Sequence, residues 1–269
     1  MKFAAALAVL ACVTTPAFAQ APIVPAVPGG VPATSGCGDA LLISADAYDF
    51  TNAPGGHSGA LDWIHCHSSS LGYTLGASAH AVADSRWRLA RASVTLRPRT
   101  ELIFYANANA GSGNTAGSDF DYLSLTDGVM AKVAERLYLK AEHQFFHIGA
   151  VRGNLLRAAG IFTLLPTVTA EINVARSFNS NLAIRSSGVR LDWDAGNARP
   201  FAGAAQGRQI PQAFEAAAGV ASPDFTTRQW FAGVTVPLRR CDWIIAFDYQ
   251  RGEATSRRTV TSALKFSFK

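Results

Sequence analysis

The end of the chain is the feature that most constrains its fold. In residues 258–269, Val260, Leu264, Phe266 and Phe268 fall on one parity, and the small or polar residues Thr261, Ala263, Lys265 and Ser267 fall on the other. A two-residue period is that of a β-strand with one apolar and one polar face. The sequence therefore predicts a terminal amphipathic strand whose apolar face ends on aromatic residues.

The same alternation recurs along most of the chain. In one segment, Leu137, Leu139 and Ala141 face away from Tyr138 and Lys140. A run of about ten residues is long enough for a tilted strand to cross the hydrocarbon core of a membrane. The predicted strands are 40–50, 58–67, 70–82, 85–97, 100–110, 118–132, 135–148, 154–165, 167–179, 181–193, 199–209, 226–237, 241–251 and 257–268. We predict an all-β fold, a transmembrane antiparallel up-and-down β-barrel of about 12–14 strands.

The lengths of the connections give a separate indication. In membrane barrels the loops at one rim are long, and those at the other rim are tight turns. The longer predicted connections all follow odd-numbered strands: 51–57, 111–117, 149–153, 210–225 and 252–256. Two connections after odd strands, near Ala83 and Ser180, are short, and 194–198 is long for a turn. The pattern favours a barrel over a soluble β-sandwich, which would also alternate.

Composition and charge narrow the class of protein. Charged residues make up 16% of the chain and apolar residues 49%, which suits a barrel that is apolar outside and polar inside. The net charge is +5, and no basic run carries interleaved aromatics, so nucleic-acid binding is not expected. Aromatic residues are predicted at strand ends on the apolar face, as in an interfacial girdle: Tyr73, Trp87, Trp193, Trp230, Trp243, Tyr249 and Phe268.

The first residues indicate export. Residues 1–19 have a basic start at Lys2, an apolar stretch and the cleavage motif Ala17-Phe18-Ala19, as a secretory signal peptide does. An alternative interpretation makes Cys12 a lipoprotein cysteine. Residues 20–36 are uncharged and rich in proline, which predicts an extended periplasmic linker. The predicted domains are thus the signal peptide, the linker and a barrel at 37–269.

With these features the chain resembles the outer-membrane β-barrels of Gram-negative bacteria. The resemblance rests on the export signal, the strand rows and the ending on Phe266 and Phe268. It implies an integral outer-membrane location, contact with lipids and lipopolysaccharide, and reading of Phe266 and Phe268 by the outer-membrane assembly machinery. Lys269 follows the final aromatic, which departs from the usual ending on an aromatic residue.

The first predicted hairpin carries a second resemblance. Its segments Tyr48-Asp49-Phe50 and Asp62-Trp63 are similar to the YaiO-like barrel family. This resemblance covers a short part of the chain and implies no functional residue.

Charged side chains are predicted on the inner face of the barrel. By the strand parity they are Arg91, Arg97, Lys140, Glu142, Glu171, Arg190, Asp192, Asp248 and Lys265. One interpretation is a pore whose charges select solutes, and the alternative is a network of ion pairs that fills the interior. A barrel of about 14 strands is too wide for side chains alone to fill. A loop with Phe214, Glu215 and Gly219 could therefore either fold inward as a plug or extend into solvent.

Cysteines and histidines offer few other sites. Cys37 is expected to pair with Cys241, or with Cys66, because the periplasm is oxidising. His65 and His67 share a strand face, but a metal site needs a third ligand that no spacing provides. We therefore expect no metal site and no cofactor.

Catalysis is not expected either. His57 and Ser58 are adjacent in sequence and therefore point apart on a strand, which does not fit a nucleophile and its base. His143 and His147 have no serine partner that the sequence defines. We expect no catalytic residues.

These observations leave three candidate functions. The first is a channel or transporter for small polar solutes or a polysaccharide, acting as a monomer. The second is a closed barrel that supports an envelope complex. The third is a lipid-modifying enzyme of the outer membrane.

Overall fold

The computed structural model describes residues 38–51, 54–82, 85–115, 118–180, 183–208, 227–252 and 256–268. They form fourteen β-strands: β1 (Ala40–Phe50), β2 (Gly56–Ser68), β3 (Leu71–Val82), β4 (Ser85–Arg99), β5 (Leu102–Thr115), β6 (Ser118–Ala134), β7 (Leu137–Ile148), β8 (Val151–Leu165), β9 (Val168–Phe178), β10 (Arg185–Trp193), β11 (Arg199–Arg208), β12 (Thr227–Pro237), β13 (Cys241–Arg251) and β14 (Ser256–Ser267). In this part of the chain, no helix is long and apolar enough to span a membrane.

Each strand pairs with its neighbours in sequence, and β14 pairs with β1 to close the barrel. The closing register runs from Ala40 opposite Ser267 to Phe50 opposite Arg257, and every pair is antiparallel. The prediction of a closed antiparallel barrel is confirmed, with fourteen strands at the upper end of the predicted range.

The barrel has two rims. The terminal rim is the end at which β1 begins and β14 ends, and the opposite rim is the end at which the odd-numbered strands finish. Connections at the terminal rim are short except for 194–198, as predicted. The predictions of long connections at 111–117 and 149–153 are wrong. Both connections are short, because β5 continues to Thr115 and β8 begins at Val151. Conversely, the connection expected to be short near Ser180 extends from 179 to 184.

Glycines explain the first of these errors. Gly111 and Gly113 suggested a break, but both lie inside β5 on its inward face. A Cβ atom on Gly113 would lie 2.5 Å from both the Trp87 Cβ and the Phe120 ring. Gly113 thus leaves space for bulky side chains of the neighbouring strands and does not mark a turn.

The outward face of the wall is largely apolar. Its exposed side chains include Leu75, Leu139, Ile172, Val189, Trp193, Trp230, Trp243 and Phe247. Trp230 and Tyr249 stack on adjacent strands with ring centroids 5.7 Å apart. The girdle prediction is wrong for Trp87, which faces inward and is only 6% exposed.

A cluster of apolar side chains lies inside the barrel near the opposite rim. We call it the inner aromatic cluster; its buried members are Tyr48, Phe50, Val82, Trp87, Phe120, Tyr122 and Ile148. It spans strands β1 to β7 and removes aromatic surface from water. The lumen wall is therefore apolar at this end of the barrel and polar further in.

Several predictions lie outside the described residues. They concern the signal peptide at 1–19, the linker at 20–36, Cys37, and the loop with Phe214, Glu215 and Gly219. They stay predictions.

Candidate functional site: the lumen wall

The structure places all nine predicted lumen charges on the inward parity of their strands. The same parity carries the buried side chains of the wall, whereas the other carries its exposed apolar side chains. Ion pairs hold six of the nine, either within one strand or to a strand one or two places away: Arg91, Lys140, Glu142, Arg190, Asp192 and Asp248. The site is therefore a wall of paired charges, amides and hydroxyls around the lumen.

One ion pair bridges three strands. Arg91 Nη2 of β4 donates to Asp62 Oδ2 of β2 at 2.8 Å, and both side chains are 12% exposed. Gly76 of β3 lies between them in the register. A Cβ atom at Gly76 would collide with the Asp62 carboxylate, so the glycine leaves the space that lets the two charges meet.

Glu142 is the centre of a larger network. The Tyr105 hydroxyl donates to its Oε2 at 2.8 Å, Lys140 Nζ lies 3.0 Å from the same oxygen, and Arg157 donates to Oε1. Glu142 is only 6% exposed. Tyr105 reaches it across Gly128, where a Cβ would collide with the tyrosine ring. Such a buried carboxylate is tolerated because two cations and a hydroxyl surround it.

The opposite wall carries two further charge clusters. Arg190 donates from two nitrogens to the Asp192 carboxylate and lies over the Phe201 ring, 4.8 Å from its centroid. Asp248 accepts a hydrogen bond from Gln229, and its Oδ1 lies 3.6 Å from Arg257 Nη2. These pairs neutralise most of the charge that faces the lumen here.

Asp46 ties the barrel seam together. Its carboxylate accepts hydrogen bonds from Ser58 at 2.5 Å and from Thr261 at 2.6 Å, on the two strands that flank β1. The Tyr48 hydroxyl lies 3.0 Å from Ser58 Oγ. The contact joins β14, β1 and β2, so it supports closure of the barrel.

Between these charges and the inner aromatic cluster lies a patch of neutral polar side chains on β5, β6 and β7. Its members are Asn107, Asn109, Ser124, Thr126 and Gln144, and all are at most 4% exposed. Gln144 Nε2 donates to Ser124 Oγ at 2.9 Å. Within the described part of the chain, neither polar atom of the Asn107 amide has a hydrogen-bond partner. We call this group the amide patch; its unpartnered amide atoms are buried and need water or another polar group as a hydrogen-bond partner.

Arg97, Glu171 and Lys265 complete the predicted set. All three are half-buried on the inward parity, and Glu171 accepts a hydrogen bond of 3.4 Å from Asn173. The sequence prediction missed Asp46, Asp62 and the cations Arg157 and Arg257. Strand parity could have found them, because each lies in an alternating segment. The amide patch carries no charge, and nothing in the sequence distinguishes it from packing residues.

The cysteines differ from the first predicted pairing. Cys241 is a free thiol, so the pairing of Cys37 with Cys241 is wrong. Cys66 is disulfide-bonded. Cys241 lies on the outward parity of β13, whereas Cys66 lies on the inward parity of β2, which explains why these two do not meet.

Five of the six histidines face outward, whereas His80 faces inward on β3 and stacks on Trp87 with ring centroids 4.8 Å apart. His65 and His67 face outward on β2, and His65 Nδ1 lies 2.6 Å from Asp39 Oδ1. His57 faces outward while Ser58 faces inward, so the two point apart. Among the described residues, no group of three histidine, cysteine or acidic side chains could hold a metal ion.

His143 belongs to a separate hydrogen-bonded group on the outward face. Its Nδ1 lies 3.1 Å from Asp127 Oδ1, and its Nε2 lies 3.0 Å from Asn154 Oδ1. Both ring nitrogens are therefore engaged, and neither is left to accept a proton from a nucleophile.

Solved structures with a similar fold are outer-membrane channels. The monoaromatic hydrocarbon channel CymD has a TM-score of 0.65 and 11% identity, covering 86% of this chain and 88% of CymD. The Pseudomonas putida toluene transporter TodX has a TM-score of 0.60 and 9% identity, covering 87% of this chain and 91% of TodX. At such identities the similarity shows the fold alone, which is that of an outer-membrane barrel.

The sequence comparisons add no family. No family model matches the chain, and no curated protein matches it. The resemblance to the YaiO-like barrels stays a prediction.

Proposed function

We propose that this chain is an integral outer-membrane channel or transporter for small polar solutes. The observation that carries the proposal is the division of the barrel wall. Its outward face exposes apolar side chains such as Ile172 and Phe247, and its inward face carries charges, amides and hydroxyls. A wall that is apolar outside and polar inside is stable only in a membrane with a polar lumen.

The amide patch supports a neutral or weakly charged solute. Charges on the lumen wall are largely neutralised in pairs, as in the networks of Glu142 and Asp248. Asn107 and Asn109 carry buried amide atoms without a protein partner, and such groups need a water molecule or a solute hydroxyl as their partner. Hydroxylated solutes, including the short units of a polysaccharide, fit this chemistry better than ions do.

The rims suggest an orientation. Short turns at the terminal rim are typical of the periplasmic side of such barrels, and both chain ends would then face the periplasm. The predicted signal peptide and linker would fit this arrangement. We propose that the chain acts as a monomer.

A second candidate is a closed barrel that supports an envelope complex. It is favoured by the low exposure of the lumen side chains, since Gln229 is fully buried and Asp248 only 2% exposed. In a closed interior that no solute crosses, buried charges are tolerated only when they are paired with one another. Solute flux distinguishes this candidate from the first.

The third candidate, a lipid-modifying enzyme, has less support. It would require a nucleophile beside a membrane-facing histidine. His143 is such a histidine, but Asp127 and Asn154 take both of its ring nitrogens. The similar solved structures are named as channels.

Swelling of proteoliposomes in iso-osmotic sugars tests the proposal. We expect swelling to be fast with a pentose and slower with a disaccharide and a tetrasaccharide. Asn107→Leu should slow it, because leucine removes the amide from the patch, whereas Ala108→Leu on the outward face of the same strand should not. Folding of each variant is checked by the migration of unheated protein on a gel. Swelling no faster than that of empty liposomes, from folded protein, would rule out the channel and favour the closed barrel.

A further inference from the structure

The outward face has an unusual charge pattern near the opposite rim. Arg176 of β9 lies directly opposite Arg185 of β10 in the register, and Arg228 of β12 lies directly opposite Arg251 of β13. All four are exposed. Within the described part of the chain, none of the four forms an ion pair. We call these four residues the arginine collar.

Like charges at directly opposed positions destabilise a sheet. Another outward arginine of the barrel is paired with an opposite charge: Arg258 of β14 faces Asp49 of β1 and lies 4.0 Å from its carboxylate. The collar arginines face arginines instead. Two such pairs are stable if an anion lies between each pair, because guanidinium groups bind phosphate through two parallel hydrogen bonds.

The position of the collar indicates the kind of anion. One step towards the terminal rim on the same outward rows lie exposed apolar residues, namely Val174 beside Arg176 and Trp230 beside Arg228. The collar thus follows the edge of the apolar band of the wall. In a membrane this is the level of the lipid phosphates, where each basic side chain contributes to attraction of an anionic surface. At the terminal rim, β10 ends at Trp193 and β13 carries Trp243 near its start. The outward rows of these two strands carry no arginine there.

We infer that the arginine collar is a binding site for the phosphate groups of a glycolipid, the lipopolysaccharide of the outer leaflet. This inference rests on the proposed outer-membrane location, because it needs the collar to face that leaflet. The two arginine pairs hold phosphomonoesters at the boundary of the hydrocarbon. They also fix the depth and direction of the barrel, since a phosphate-rich leaflet meets this rim and not the other.

Binding of bisphosphorylated lipid A to the folded protein in detergent, measured by native mass spectrometry, tests the inference. Arg176→Gln with Arg185→Gln should weaken binding about tenfold or more, and so should Arg228→Gln with Arg251→Gln. The matched control is Arg239→Gln with Arg240→Gln, which removes the same charge from the exposed turn after β12. The control should bind as the unmodified protein does, and lipid A without its phosphates should bind weakly to every variant.

Equal weakening by the control pair would overturn the inference, because binding would then follow net charge and not the collar. Unchanged binding by both collar variants would overturn it too. The result is independent of the channel proposal. If the protein bound lipid A through the collar but showed no solute flux, the lipid-binding inference would stand and the channel proposal would fail.

Discussion

At the scale of single residues, inward glycines decide which side chains meet across the wall. Gly76 separates Asp62 from Arg91, and Gly128 separates Tyr105 from Glu142. In each case the missing side chain leaves a space that the flanking strands fill with a polar contact. Gly76 and Gly128 therefore each permit a contact between the two strands that flank them.

Gly76→Ala is expected to destabilise the barrel by about 1–3 kcal/mol. The added Cβ would collide with the Asp62 carboxylate and lie 2.7 Å from the Leu61 carbonyl oxygen. Gly59→Ala is the control, because its Cβ would meet only the Ser44 carbonyl oxygen at 3.8 Å. Urea unfolding of the protein in lipid vesicles measures both. Equal stability of the two variants would contradict the role of Gly76.

Glu142→Gln is expected to cost about 1.5–3 kcal/mol, because it leaves two partly buried cations without their carboxylate. Glu171→Gln should cost no more than about 1 kcal/mol, since Glu171 is half-buried and accepts one long hydrogen bond. The same unfolding experiment compares them. A Glu142 variant as stable as the Glu171 variant would show that the network does not stabilise the wall.

At the scale of the strands, alternation predicted the number and most bounds of the elements. The predicted bounds of β1 and β13 coincide with those of the structure, because a strand with one exposed and one buried face shows its period directly. The end of β5 and the start of β8 were wrong because Gly113 and Gly153 leave space for side chains of neighbouring segments, a tertiary effect that local sequence does not show.

The same limit applies to the site. Parity placed Lys140 and Glu142 on the inner face, but their partners Tyr105 and Arg157 depend on the register of three strand pairs. The inward position of Trp87 was also missed, since aromatic residues near strand ends were assigned to the outer girdle. The outward collar pairs arise from registers between β9 and β10 and between β12 and β13, which the sequence does not specify.

The last strand makes a prediction of its own. Phe266 and Phe268 lie on the outward parity of β14 and its end, and the Phe268 amide donates to the Asp39 carbonyl at 2.7 Å. Replacing both with alanine is expected to lower the amount of folded protein in the outer membrane several-fold, since we propose that the assembly machinery reads them. Leu191→Ala with Trp193→Ala, at the same rim, is the control. The measurement is the amount of folded protein in membrane fractions, read from unheated samples on a gel. Equal accumulation of the two variants would contradict the prediction.

At the scale of the whole molecule, an even number of strands brings the start of β1 and the end of β14 to one rim, and the pairing of these two strands closes the sheet. The outward surface then divides into an apolar band and an arginine collar, while the lumen divides into the inner aromatic cluster, the amide patch and the charge networks. In both cases the regions follow one another along the barrel axis. The molecule is thus polarised from rim to rim, as a path across an asymmetric membrane would be.

Single-channel recording of the refolded protein in a planar bilayer tests the central claim most directly. We predict discrete current steps with weak ion selectivity, because most lumen charges are paired. In Arg157→Gln the selectivity should shift towards cations, since Glu142 loses one of its two cations. Persistent absence of current from protein shown to be folded and inserted would contradict the channel.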